Sequence, residues 1–370
     1  VTTIINGSSP SITFSDGSAQ TSSTKPFINR IINGAMVLDQ RNAGASVTIP
    51  AATNTYTLDR WIGYGTLASK FTVQQNAASV TPPVGFTNYL GATSSAATTV
   101  GTSDEYELIQ KIEGFNVADL GWGTANAKTI TLSAWVRSSL TGTFGGILAN
   151  SSLNRVYPFT YSIPVANTWT AISVTIAGDT TGTWLTTNGT GIYLSFCLGA
   201  GATVSGTAGA WGSTYFASAT GAVSVVATNG ATFYITGVQL EVGSSATSFE
   251  YRQYTNELSL CQRYAWKYGG NAASYLNGPG LYADGNTIIF GPIPNPVSMR
   301  AGVSLTVFGS PRVSVNGANS TGWTPTVSGP GDLLNSWIDM AKTGHGLTAG
   351  VTTNIYLSAT SDYFIFSAEL

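Results

Sequence analysis

The chain has 370 residues and a formal net charge of -2, and only 9% of it is Asp, Glu, Lys or Arg, against roughly a quarter in an ordinary soluble domain. Its 43% hydrophobic content is enough for buried cores, and its length predicts two or three domains. Between Arg155 and Glu241 the single charged residue is Asp179, so the row of cations that a phosphate backbone requires is missing there and no nucleic-acid partner is expected. Neither a signal peptide nor an apolar run of about 18 residues is visible, and no membrane insertion is expected.

The 43 glycines, the many Ser and Thr and the β-branched runs between them predict an all-β chain. Residues 1–28 read as an attachment or oligomerisation arm. Within it Ile12 and Phe14 alternate toward one face and a turn is expected at Asp16-Gly17, a hairpin too small to be stable alone. The reading beside it is a strand docked on the chain's own main domain. From residue 29 to 252 the spacing predicts an antiparallel jelly-roll sandwich, with strands at 45–49, 71–75, 129–137, 169–176, 191–198 and 233–242. Residues 104–112 fit a helix or a strand equally.

Within residues 233–242, Phe233 and Ile235 share one parity whereas Val238, Leu240 and Val242 share the other, with Gly237 at the change. A β-bulge at Gly237 returns all five to one buried face. Phe249 and Tyr251 then alternate with Glu250 and Arg252, which predicts a further short strand. A helical connector is expected over 253–267, with Leu258, Cys261 and Ala265 on one side. Residues 268–370 read as a second, C-terminal β-sandwich domain, with strands at 287–290, 303–308, 312–315, 353–358 and 363–368.

Several long strings carry a resemblance: NRIINGAMVLDQRN at 29–42, YTLDRW at 56–61, IEGFNVADLGWGTANAKTITLSAWVRSSLTGTFGG at 112–146, IAGDTTGTW at 176–184 and FYITGVQLEVGSSATSFEYRQYTNELSLCQRY at 233–264. In the same order they resemble the carbohydrate-binding-module-like jelly roll of bacteriophage tail-fibre proteins, over roughly residues 29–264. The resemblance implies a virion component, a homotrimer joined to other tail or baseplate proteins through its N-terminal arm, and a distal receptor-binding tip in residues 268–370 that meets a host-surface glycan. A capsid decoration or head-fibre protein and a polysaccharide depolymerase are the alternatives.

No recognisable catalytic set stands in the sequence, so no enzyme is expected. His345 is the only histidine, in a loop-like KTGHGLTAG, and no Gly-X-Ser-X-Gly elbow accompanies it. One His and two distant Cys cannot close a zinc site, and Asp284-Gly-Asn286 reads as a turn before it reads as a calcium ligand set, so no metal or cofactor is expected. The acids that could serve hydrolysis, Asp104, Glu105, Glu107, Glu113 and Asp119, flank Tyr106, Leu108 and Ile112 and are expected on a solvated face. Cys197 and Cys261 read as buried thiols, with a bridge between them left open. Binding fits better: 9 Trp, 17 Tyr and 15 Phe in a chain of few charges offer rings to stack on sugars. The loop-like aromatics Trp122, Trp184, Trp211 and Tyr215 in the first domain and Tyr282, Trp323 and Trp337 in the second are the candidate glycan contacts, with core packing or a subunit interface as the alternative for each.

Overall fold

The computed structural model describes residues 4–6, 11–13, 19–20, 27–270, 274–276, 280–282, 286–315, 318–327, 333–345 and 353–370. Ile4–Asn6, Ser11–Thr13 and Ala19–Gln20 form a small antiparallel sheet, and the predicted turn at Asp16-Gly17 and Phe14 lie outside the described residues.

The first large unit is a jelly-roll sandwich of two six-stranded antiparallel sheets. The first sheet runs, in spatial order, through Thr170–Ile176, Ile130–Ser138, Thr232–Val242, Leu90–Ser94, Phe71–Gln75 and Val47–Thr48. The second runs through Val156–Ile163, Gly142–Ala149, Thr190–Ala200, Glu105–Glu113, Ile62–Gly65 and Thr55–Tyr56. Between them lies one apolar layer to which Trp61, Phe71, Leu108, Leu132, Phe144, Phe196 and Phe233 all contribute. Period-two alternation explains the placement: Ile130, Leu132, Ala134 and Val136 point into this layer, and Ser133, Trp135 and Arg137 stand on the outer face, half-buried.

The bulge is where parity puts it. Ser133 pairs with Gln239 and Trp135 with Thr236, so Gly237 and Val238 together oppose Ala134. Gly237 has φ +61°, in the left-handed region that glycine enters without cost, and Phe233, Ile235, Val238 and Leu240 are all completely buried. Residues 104–112 resolve as a strand, Glu105–Glu113, because both of its faces are covered: Tyr106, Leu108 and Ile112 face the sandwich layer and Ile109 packs with Ile62, Ile147 and Tyr193 outside it.

Two expectations are corrected. Residues 249–252 make no strand; the Glu250 carboxylate accepts the backbone N–H groups of Ile28 (3.1 Å) and Asn29 (2.8 Å), and Phe249 and Tyr251 turn their rings onto Phe86. The helix is Tyr254–Gln262, shorter than the spacing predicts, and Ala265–Gly269 is already a strand of the second unit. There Trp266 stacks on Phe366 at 4.9 Å across an antiparallel pairing with Tyr363–Ser367, and that contact outweighs helix continuation.

The second unit comprises one three-stranded and two four-stranded antiparallel sheets around Trp266, Phe290, Ile338, Met340, Phe364 and Phe366. Its strands Thr287–Pro294, Ser304–Phe308, Arg312–Val315, Thr353–Leu357 and Tyr363–Ser367 fall on the predicted positions, whereas Asn335–Ala341 and Thr324–Val327 were not foreseen. A charged junction joins the two units. Glu369 binds both Arg41 (3.0 Å) and the buried Arg60, whose guanidinium lies 3.6 Å from the centroid of the Tyr264 ring. Arg263 grips Glu113 through two bonds of 2.9 and 2.7 Å, and the Tyr264 hydroxyl donates to the same carboxylate at 2.5 Å.

A Cβ built on Gly237 would stand 2.6 Å from the Phe86 ring. Gly237→Ala is therefore expected to lower stability by about 1–3 kcal/mol, through left-handed backbone strain plus displacement of Phe86, measured as a fall in Cm with unchanged m-value.

Candidate functional site

The structure gathers three of the seven predicted aromatics into one cluster and separates the rest. Trp122, Trp184 and Trp211 meet edge to face at 4.6, 5.4 and 5.4 Å, with Tyr157 against Trp211 at 5.2 Å. Each indole N–H is engaged: Trp122 donates to the Lys128 carbonyl (2.8 Å), Trp184 to Asp179 Oδ2 (3.3 Å) and Trp211 to the Ala177 carbonyl (2.8 Å). Asp179 is itself held by Arg155 through two 2.7 Å bonds, and those bonds outweigh its burial and hold its carboxyl below the usual range. The cluster closes one end of the sandwich around a cavity of about 200 Å³ lined by Val117, Leu120 and Ile192.

Tyr215 sits elsewhere, over the outer face of the second sheet, where its hydroxyl donates to Glu105 at 2.7 Å. Trp323 is 8% exposed, stacks on His345 at 5.4 Å and donates its N–H to Ser320. Trp337 is in the strand Asn335–Ala341, not in a loop, with its ring against Gly291. Tyr282 ends the strand Gly280–Tyr282, its side chain outside the described residues, as is Asp284 of the weak calcium candidate.

The acids also differ from expectation. Glu107 and Glu113 are each 1% exposed, because the outward face of their strand is covered rather than solvated. Glu107 accepts hydrogen bonds from Ser195 and from Tyr193 (3.1 Å), and burial, aided by the nearby Glu105 charge, pushes its carboxyl up to about 8. Glu113 is buried too, yet its bonds to Arg263 and Tyr264 bring its carboxyl below the usual value. Asp119 is exposed and paired with Arg30 at 2.8 Å. Cys197 and Cys261 are free and buried, and burial raises both thiols.

The side chain that sequence reasoning missed is Trp135. It stands on the outer face of the first sheet, in the strand next to the edge strand Thr170–Ile176, and lines a groove of about 590 Å³. Phe86, Phe249 and Tyr251 form one wall, ring against ring at 5.2, 5.5 and 4.9 Å, and Tyr251 is 58% exposed. On its two neighbouring strands Trp135 is paired with Ala171 and Thr236, and the next outward pair on the Ala171 side is Ser133 with Ser173. Among the described residues, neither the Trp135 N–H nor the hydroxyls of Ser133, Ser173 and Ser248 has a hydrogen-bond partner, and no aromatic ring stacks on Trp135. The other tryptophans of the sandwich, Trp61, Trp122, Trp169, Trp184 and Trp211, all donate to protein oxygens. A partly exposed indole with an open face, an unused donor and hydroxyls two residues away can stack on an apolar ring face and bind the polar groups around it. The signal was present in the sequence as parity: Trp135 falls on the Ser133 and Arg137 side of its strand, opposite Leu132, Ala134 and Val136.

No family model matches the chain, and no curated protein matches it. Its jelly roll has neighbours among solved carbohydrate-binding modules. It is similar to the enzymatically active domain of tailspike protein 4 of bacteriophage CBA120, at 14% identity and a TM-score of 0.31, over 59% of this chain and 22% of that one. It is also similar to a family 11 carbohydrate-binding module from Clostridium thermocellum in complex with a β-1,3-1,4-mixed-linked tetrasaccharide, at 10% identity and a TM-score of 0.29, over 55% of this chain and 98% of that one. At this level of likeness no ligand or assembly passes from them to this chain.

Because its carboxyl is raised in the fold, Glu107 stabilises fully below the unfolded-state value near 4.5 and loses that contribution as pH rises through about 8. Glu107→Gln, which mimics the neutral acid, is expected to match the wild-type melting temperature near pH 5 and to exceed it near pH 9, read by thermal unfolding across pH.

Proposed function

We propose that the chain is a bacteriophage virion protein of the tail-fibre type that recognises a host-surface glycan without covalent chemistry, and that Trp135 is the centre of its contact. The observation that carries the recognition step is the uncommitted indole of Trp135 in an aromatic-walled, hydroxyl-edged groove. The virion and tail-fibre reading rests on the resemblance of residues 29–264 to that family. A homotrimer is part of the same proposal, since repeated weak sites on one symmetric particle add by avidity. Trp323 of residues 268–370, by contrast, is buried with its N–H engaged. The non-catalytic reading is supported by the acids: Glu107 is sealed from solvent and Glu113 is bridged to Arg263.

Titration of the purified protein with host lipopolysaccharides and capsular polysaccharides, followed by tryptophan fluorescence, tests the assignment. Trp135→Ala is expected to weaken binding by about tenfold or more, equivalent to about 1.4 kcal/mol, whereas Trp211→Phe in the cluster leaves affinity unchanged. Unaltered binding by Trp135→Ala removes the groove from consideration. Release of new reducing ends by the wild type would make the protein a depolymerase instead.

A further inference from the structure

Resting on the glycan reading of this groove, we infer that it selects uncharged saccharides over acidic ones, with Trp135 taking the apolar face of a sugar ring and the Ser133–Ser173 pair taking its hydroxyls. The groove lining contains no Asp, Glu, Lys, Arg or His. The nearest charges are directed elsewhere. Arg137, the next outward residue beyond Trp135, donates its Nε to the Asn167 carbonyl at 2.9 Å and lays its guanidinium 5.4 Å from the centroid of the Tyr234 ring. Glu250 accepts from the Ile28 and Asn29 backbone and from Arg252, and Glu241 is 2% exposed and bonded to Gln239 and Thr247.

A carboxylate or phosphate drawn into this groove gives up water and meets no opposing charge, and an unpaired ion removed from water is destabilised by several kcal/mol. A neutral ring meets no such penalty. Ser133 and Ser173 are direct cross-strand partners, and two residues of strand put them about 7 Å along from Trp135. One sugar ring on the indole, with its hydroxyls extended along the strands, bridges that spacing. Ala171 opposite Trp135 leaves the indole face uncovered for it.

The test uses matched pairs: neutral gluco- and galacto-oligosaccharides, and the same backbones oxidised at C6 to uronates, titrated against the whole protein at low salt and at about 0.5 M NaCl, where screening acts within a few ångströms. The neutral member is expected to bind at least about tenfold more tightly than its uronate, with affinity unchanged by salt, and Ser133→Ala/Ser173→Ala is expected to lower that affinity while the melting temperature stays put. A uronate that binds as well as or better than its neutral partner, with affinity falling in salt, overturns the inference while leaving glycan recognition standing. If that preference then disappears in Arg137→Gln, the reader of the charge is Arg137. Failure of both series to bind the wild type overturns the glycan reading and the inference together.

Discussion

One additional residue in the strand Thr232–Val242 decides how the sandwich faces. Without the bulge at Gly237, the two-residue period would turn Val238 and Leu240 out of the sandwich layer as soon as Phe233 and Ile235 are inside it, and the inner face of an eleven-residue strand would lose half of its apolar side chains. The same glycine, having no Cβ, lets the Phe86 ring rest against the sheet surface. Core and groove are therefore set by one backbone position: the inner face becomes continuous, and the outer face acquires an aromatic wall beside Trp135.

The electrostatics follow a single rule. The chain has few charges, and those at its structural joints are turned inward onto named partners. Arg155 and Asp179 fasten the tryptophan cluster, Glu250 and Arg252 fasten the entry of the chain at Ile28 and Asn29, and Glu113 and Arg263 fasten the helix. The groove, by contrast, is left with rings, hydroxyls and backbone. Surface that is uncharged because its ions are engaged elsewhere differs physically from surface that is merely apolar, since its hydrogen-bonding groups remain available to a ligand.

Much of the fold was legible because period two and turn residues are local signals. The strands Phe71–Gln75 and Arg312–Val315 and the bulge at Gly237 needed nothing beyond the order of the residues. What was illegible depended on distant partners. Glu105–Glu113 carries acids that resemble a solvated edge, and distant partners cover them: Tyr215 for Glu105, Tyr193 and Ser195 for Glu107, and Arg263 and Tyr264 for Glu113. The helix ends early because Trp266 finds Phe366. In the site, turn location proved a poor guide to a free ring: Trp122, Trp184 and Trp211 occupy loops and fold onto one another, whereas Trp135 lies in a strand and remains open. Hydrogen-bond accounting for each indole separates the two cases, and that accounting requires coordinates.

The junction between the two units has a mechanical consequence. The covalent link is a single chain through Tyr254–Gln262, but beside it run the grips of Arg263 on Glu113, of Arg41 and Arg60 on Glu369, and of Arg300 on the Asn188 carbonyl at 2.8 Å. Tyr56 and Lys111 add bonds to the Leu370 carbonyl at 2.8 and 3.1 Å. A pull that separates the units loads these attachments side by side, so they share the tension and yield together, where a bare linker would swivel. Attachments in parallel of this kind oppose swivelling of one unit against the other.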